Sequence, residues 1–296
     1  MTRVLVTGAS GFIGSALAAA LVRDGVVVRG VYRRAPPTDA PGESAVVGDL
    51  GPNTDWSAAL AGVTQVVHLA GPAHGRFGER QLDSAIVDAT SALAAQAQHA
   101  GVSRFIYVSS IKAAAEMTTA GPIAETTPAA PCDAYGRAKL AAERAVLAHP
   151  DLRPVVLRPP LVFAANAGAN FARLLKLAGS GVPLPVAGVG NQRSLLSLQS
   201  LVNAIHAVLA APRGEAGVFH LADPPALSTA EIVTALREGM GIAPRLFVGP
   251  RALLPRALRQ SLEVDDSRFR AAYGSAWSQD ARAALVACGA AWKARA

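Results

Sequence analysis

The segment Val4-Leu5-Val6-Thr7-Gly8-Ala9-Ser10-Gly11-Phe12-Ile13-Gly14 decides the fold. A short apolar run stops at Gly8, and two more glycines follow at a spacing of three. An Ala/Leu-rich stretch of helical texture begins immediately after them. Glycines placed this way permit a tight turn, close approach of the backbone to a pyrophosphate, and close packing of a helix on its strand. The helix start then offers free N–H groups and a partial positive charge to phosphates. A strand before and a helix after make the pattern more specific than the glycines alone. Gly8, Ser10, Gly11, Phe12, Ile13 and Gly14 are therefore expected to line a dinucleotide loop. The plain alternative is an ordinary glycine-rich turn between strand and helix.

Outward from this loop, Val-rich runs alternate with helical stretches. Runs at Arg3–Thr7, Val26–Tyr32, Ser44–Val47, Gln65–Ala70, Arg104–Ser109 and Pro154–Arg158 read as strands. Their apolarity is continuous, which suits parallel strands buried on both faces. Helices are expected at Phe12–Asp24, Trp56–Ala61, Leu82–Ala100 and Asp133–Ala148. This alternation predicts an α/β Rossmann fold, a doubly wound parallel sheet. After Arg158, prolines and glycines interrupt the pattern. Helices are expected at Asn170–Ala178, Leu198–Ala210, Thr229–Gly239 and Asp280–Ala294, with a strand at Val218–Leu221. Residues 1–164 and 194–223 are expected to form the NAD(P)-binding domain. Residues 165–193 and 224–296 are expected to form a smaller, mainly helical substrate lobe.

Composition narrows the function classes. The chain has 296 residues, 51% of them hydrophobic and 17% charged, which excludes a disordered chain. No stretch approaches the roughly 20 uninterrupted apolar residues of a membrane span. A strand beginning at Arg3 leaves no room for a secretion leader, so a cytoplasmic protein without a membrane partner is expected. Cys132 and Cys288 lie far apart and outside any metal-binding spacing, so no metal is expected. The formal net charge is +7. Its arginines are scattered, which argues against nucleic acid and leaves either solvated residues or attraction of anionic small molecules.

The second strand ends Val31-Tyr32-Arg33-Arg34, with no acid to grip a ribose 2′-hydroxyl. A guanidinium there matches a 2′-phosphate. NADP(H) is therefore favoured, with NAD(H) possible. Asp49 and Leu50, after the third strand, are candidates for the adenine side, although Asp49 also suits a capping turn.

Tyr135-Gly136-Arg137-Ala138-Lys139 opens a predicted helix. A spacing of four puts Tyr135 and Lys139 on one face. A neighbouring ammonium favours the phenolate, so Lys139 is expected to lower the Tyr135 pKa toward the range of general acid–base work. Ser109 and Ser110 end the fifth strand, where ligands of a doubly wound sheet bind. Ser110 also suits a simple turn cap.

Glycine loop, strand-end serine and Tyr/Lys pair, in that order, resemble the short-chain dehydrogenase/reductase superfamily. Length and C-terminal lobe resemble its extended branch, the NAD-dependent epimerase/dehydratase family. That resemblance implies Tyr135 as acid–base catalyst, Lys139 as its partner and holder of the cofactor ribose, and Ser110 as polariser of the substrate oxygen. It places Leu69, Ala70, Gly71, Ser109 and Pro159 beside the cofactor. It also implies a homodimer through the helices of Leu82–Ala100 and Tyr135–Ala148.

The later motifs resemble members acting on nucleotide-diphosphate sugars. Asn170-Phe171, Pro183-Leu184-Pro185-Val186 and Arg193 match their diphosphate and base contacts, and His74 falls where a sugar contact occurs. Val108-Ser109-Ser110-Ile111-Lys112 and Arg158-Pro159-Pro160-Leu161-Val162 resemble bacterial UDP-N-acetyl-quinovosamine-type 4-keto-reductases of surface polysaccharide synthesis. Read without the resemblance, Asn170 suits a helix cap and Arg193 a solvated strand residue. Two departures stand out. Ile86 occupies the position of a family Asn, and Ile111-Lys112 replaces the Asp-Glu pair with which dehydratases remove water. Reduction of a 4-keto nucleotide sugar is the expected reaction. A 4-epimerase, a reductase of a non-sugar carbonyl and a non-catalytic NAD(P) sensor remain as alternatives.

Overall fold

A computed structural model describes residues 2–72, 78–118, 120–250 and 254–295. Its centre is a seven-stranded sheet formed by β1 (Arg3–Thr7), β2 (Val27–Tyr32), β3 (Glu43–Val46), β4 (Gln65–His68), β5 (Arg104–Val108), β6 (Val155–Arg158) and β9 (Gly217–His220). Their order is β3-β2-β1-β4-β5-β6-β9, and every pairing is parallel. The order reverses between β1 and β4, which opens a crevice at their carboxyl ends.

Both faces of the sheet are covered, so the strands are apolar throughout rather than alternating. Val4 and Val6 face a core shared with α1 (Phe12–Arg23) and α7 (Leu198–Ala210), where Leu17, Leu21, Leu201 and Ile205 are buried. Leu5, between them, faces the opposite core with Leu93 and Ala97 of α4 (Ala89–His99) and Ala138 and Val146 of α5 (Ala134–Leu147). Each buried Val or Leu contributes roughly 1.5–3 kcal/mol. No helix among the described residues is long and apolar enough to cross a membrane.

The structure departs from the sequence reading in three places. The expected single helix at Leu82–Ala100 begins earlier, as α3 (Glu79–Leu82), and passes through a π-helical turn at Asp83–Asp88 before α4. The wider turn carries Ile86 into the second core, so the position of the family Asn is filled by packing. A second sheet, not expected from the sequence, joins β7 (Leu161–Phe163), β8 (Arg193–Ser197) and β10 (Asp223–Leu227) in the order β10-β8-β7. Its β10 reads Asp-Pro-Pro-Ala-Leu, and prolines disguise a strand in sequence. They are tolerated because β10 is an edge strand with an irregular register. Finally, α10 (Ser267–Tyr273) packs on the large sheet: Phe269 meets Phe219 edge-on at 5.7 Å and Trp277 at 5.1 Å.

The remaining lobe is built from α6 (Ala169–Gly179), α8 (Thr229–Met240), α9 (Arg256–Arg259) and α11 (Ala281–Lys293). The Arg237 guanidinium is fully buried and donates to the carbonyls of Ala178, Val182 and Pro244, which ties the end of α6 to α8.

Candidate functional site

The expected loop lies at the crevice. A Cβ on Gly14 would stand 2.1 Å from the Gly8 carbonyl oxygen, and one on Gly8 would stand 3.1 Å from the Ala70 nitrogen. Gly8 also has φ +67°, a left-handed conformation suited to glycine. α1 starts at Gly11 without a side-chain cap. Backbone alone therefore lines this cradle, which fits the pyrophosphate of a dinucleotide.

Thr7 braces the cradle from below. Its Oγ1 accepts from the N–H groups of Leu69 (3.0 Å) and Ala70 (3.1 Å). Its own proton must then go to His68 Nδ1, 2.7 Å away. That leaves the ring proton on Nε2, which donates to Thr90 Oγ1 at 3.0 Å. Burial, with a smaller push from the Lys139 charge, lowers the His68 pKa from 6.5 to about 3. His220 is also buried and falls to about 4. Unfolded chains bind protons on these groups below pH 6.5 while the native protein does not. Stability is therefore complete above pH 6.5 and declines as pH falls toward 4. The melting temperature is expected to drop over that interval, with a shallower slope in His68→Gln. Equal slopes for the two proteins would overturn the assignment.

Arg33 and Asp49, candidates for the adenine side, are both exposed and face each other at 3.5 Å across the ends of β2 and β3. Leu50 is partly buried against the second core. Gly71 follows Ala70 at the end of β4, and His74 lies outside the described residues.

The catalytic candidates meet at the end of β5. Ser110 caps the short 3₁₀ turn at Ile111–Ala113, and its Oγ accepts from Lys112 N at 3.3 Å. Ile111 N in turn donates to the Pro159 carbonyl at 2.9 Å. α5 is pressed against this turn: Asp133 caps the helix through Gly136 N (2.7 Å) while its other oxygen pairs with Lys112 Nζ at 2.6 Å. A Cβ on Gly136 would sit 2.4 Å from the Lys112 carbonyl oxygen, so only glycine allows the approach. Tyr135, next to it, is thereby brought to the strand end that carries Ser110.

Tyr135 and Lys139 share a helix face, as their spacing suggested, but the ammonium is directed elsewhere. Lys139 Nζ donates to the Val108 carbonyl (3.0 Å) and stands 4.7 Å from the centre of the Tyr107 ring, against 5.9 Å for the Tyr135 ring. Burial, aided by Asp133, pushes the Tyr135 phenol up to about 12. Burial pulls Lys139 down to about 8, opposed by Glu143. The expected lowering of Tyr135 by Lys139 is therefore corrected: the ammonium is turned to a carbonyl and a neighbouring ring. Tyr135 is a neutral phenol at neutral pH.

Ser109 also differs from expectation. Its hydroxyl is buried and donates to Glu143 Oε1 rather than facing the crevice. Glu143 is 1% exposed and takes a two-pronged contact from Arg158: Nε at 3.0 Å from Oε1 and Nη2 at 2.6 Å from Oε2. Arg158 Nη1 reaches His220 Nε2 at 3.4 Å, and His220 Nδ1 donates to the Ile123 carbonyl at 3.0 Å. Sequence reasoning missed this buried chain. The available signal was a glutamate one turn beyond Lys139 and an arginine ending an otherwise apolar strand.

In the substrate lobe, Arg193 Nη1 donates to the Gln260 carbonyl at 3.0 Å, and burial lowers its pKa. Partly buried and bonded to a carbonyl, it is not a freely solvated strand arginine. Asn170 is exposed in the first turn of α6, whose cap is Gly168, so the capping alternative does not hold.

Comparison with known proteins agrees with this geometry. The family model described as NAD dependent epimerase/dehydratase family matches residues 4–222. A UDP-glucose 4-epimerase of Vibrio cholerae is 35% identical over 247 residues, 79% of this chain and 74% of that protein. A 4-hydroxy-2-methyl-3-oxo-4-farnesyl-3,4-dihydroquinoline-1-oxide ketoreductase of Stigmatella aurantiaca is 27% identical, covering 97% of this chain and 86% of its own. The solved structure of MoeE5 in complex with UDP-glucuronic acid and NAD superposes with a TM-score of 0.81 at 27% identity, covering 99% of both chains. The chain belongs to the NAD-dependent epimerase/dehydratase family, in the extended branch of the short-chain dehydrogenase/reductase enzymes.

Proposed function

We propose that this enzyme reduces the 4-keto group of a nucleotide-diphosphate sugar with NADPH. The observation that supports the reading is that Ser110, Tyr135 and Lys139 lie at the end of β5, in the same parallel sheet whose β1 leads into the glycine cradle. A bound nicotinamide dinucleotide supplies hydride at the reacting carbon. Tyr135 gives its phenolic proton to the carbonyl oxygen, and the Ser110 hydroxyl holds that oxygen by a hydrogen bond. Lys139 supports the cofactor ribose. Arg193 and Asn170 take the substrate diphosphate. Arg33 meets the 2′-phosphate, which favours NADP(H) over NAD(H). A cytoplasmic homodimer through α4 and α5 completes the proposal.

A second reading, a 4-epimerase that retains NAD, is favoured by the Vibrio relative. The ketoreductase from Stigmatella favours net reduction. Heating the purified enzyme and identifying released nucleotide separates them. Stoichiometric NAD favours the epimerase, whereas an empty protein with tighter NADPH binding favours the reductase.

Arg193→Ala tests the substrate class. KM for a UDP- or dTDP-sugar is expected to rise ~10–100-fold with kcat nearly unchanged, as for loss of uniform binding to a charged group. Unaltered kinetics with every nucleotide sugar turned over would exclude the diphosphate role.

A further inference from the structure

Residues 165–193 and 239–262 contain no Asp or Glu, yet together they hold seven Lys and Arg residues. The fold joins these two segments into one surface. Leu184 and Val186 of the first pair with Leu246 and Val248 of the second. Backbone hydrogen bonds from Leu184 N to Arg245 O (3.0 Å), Phe247 N to Leu184 O (2.9 Å) and Ala187 N to Phe247 O (3.1 Å) fasten the ribbon. Its inner side is an ordinary core, with Leu184, Val186 and Val189 packed on Leu174 and Val233.

The outer side is different. Phe247 is 48% exposed and Val248 77% exposed, the latter the most exposed large apolar side chain described. Val182 and Leu177 are exposed next to the ribbon and on α6. Arg173 and Lys176 of α6 and Arg245 of the ribbon are exposed around them. Single exposed apolar residues need no explanation, but four of them on two joined segments whose charged residues are all cations do.

We propose that this face of the substrate lobe docks peripherally on an anionic lipid surface. Charge complementarity chooses the occupant. Cations around inserted apolar side chains suit the headgroup boundary of an acidic bilayer. Phe247 is a single aromatic among Val and Leu, a poor platform for a nucleic acid, whose successive bases stack on several aromatic side chains. A nucleotide diphosphate held by Arg193 and Asn170 leaves the exposed Lys176 and Arg245 unexplained. The docked face adjoins the site. The segment after the ribbon returns to Arg193 through the Gln260 carbonyl, and Ser261 O accepts from Thr118 N at 2.9 Å near the turn that follows Ser110. Docking would present the crevice to substrates held at or near the lipid headgroups.

The test is co-sedimentation of the full chain with vesicles of phosphatidylcholine alone and of equal parts phosphatidylcholine and phosphatidylglycerol. Binding is expected only to the anionic vesicles, and weaker at high salt. Phe247→Ser/Val248→Ser and, separately, Lys176→Glu/Arg245→Glu are each expected to lower binding about tenfold or more while turnover of soluble substrate is retained. All four positions are exposed, and melting temperatures matching the native protein verify folding. Tyr135→Phe is expected to bind vesicles like the native protein, so this result is independent of the proposed chemistry. No vesicle binding, binding unaltered in both double variants, displacement by saturating UDP-glucose, or capture of an oligonucleotide in place of vesicles would each overturn the proposal.

Discussion

Tyr135→Phe is expected to lower kcat by ~10²–10⁴-fold, the contribution of a positioned general acid. Affinity for the dinucleotide should change little, because the ring and its packing remain. The phenol is neutral at neutral pH, with burial and Asp133 pushing it up to about 12. In the reductive direction it therefore starts with the proton it must give. The variant loses that donor without disturbing Gly136 against Lys112 or the Asp133 cap. Stopped-flow measurement of cofactor oxidation, with cofactor binding followed in parallel by fluorescence, separates the two effects. A variant that turns over substrate at the native rate would remove Tyr135 from the mechanism.

The largest effect on stability is expected at Arg158. In Arg158→Leu, Glu143 keeps the Ser109 hydroxyl but loses both guanidinium contacts at a position sealed from water. An uncompensated buried charge costs about 3–5 kcal/mol. His220 loses a donor at the same time. Glu143→Leu/Arg158→Leu removes both charges and is expected to be less destabilised than Arg158→Leu alone, since an apolar pair can replace a buried ion pair at little cost. Urea unfolding of both variants measures the difference. A cost below about 1 kcal/mol for the single change would place the pair among ordinary surface contacts. Glu143 also opposes the effect of burial on Lys139, so its removal should lower the lysine pKa further.

Much of this protein could be read from local sequence because local physics sets it. Gly8, Gly11 and Gly14 sit where a Cβ meets backbone, so the residue type follows from a short-range clash. β1, β4, β5 and β6 are buried on both faces, and continuous apolarity reports that directly. What stayed hidden depends on partners far along the chain. Glu143 and Arg158 are 15 residues apart and meet only after β6 lies beside β5. The small sheet draws β7, β8 and β10 from three separated segments, one of them disguised by Pro224 and Pro225. The widened turn at Asp83–Asp88 leaves no mark in composition. Spacing placed Tyr135 and Lys139 on one helix face, but not the direction of the ammonium, which the Val108 carbonyl decides.

Thr7 carries a wider meaning. One hydroxyl holds the backbone of Leu69 and Ala70 and, through His68, reaches Thr90 on α4. The two strand ends that flank the crevice are thus cross-linked by a three-membered polar tether with its proton positions fixed by donor count. The crevice floor is rigid before any ligand arrives. Its ordering entropy is settled during folding and not again at each binding event, so affinity at this site is gained through preorganisation rather than through added contacts.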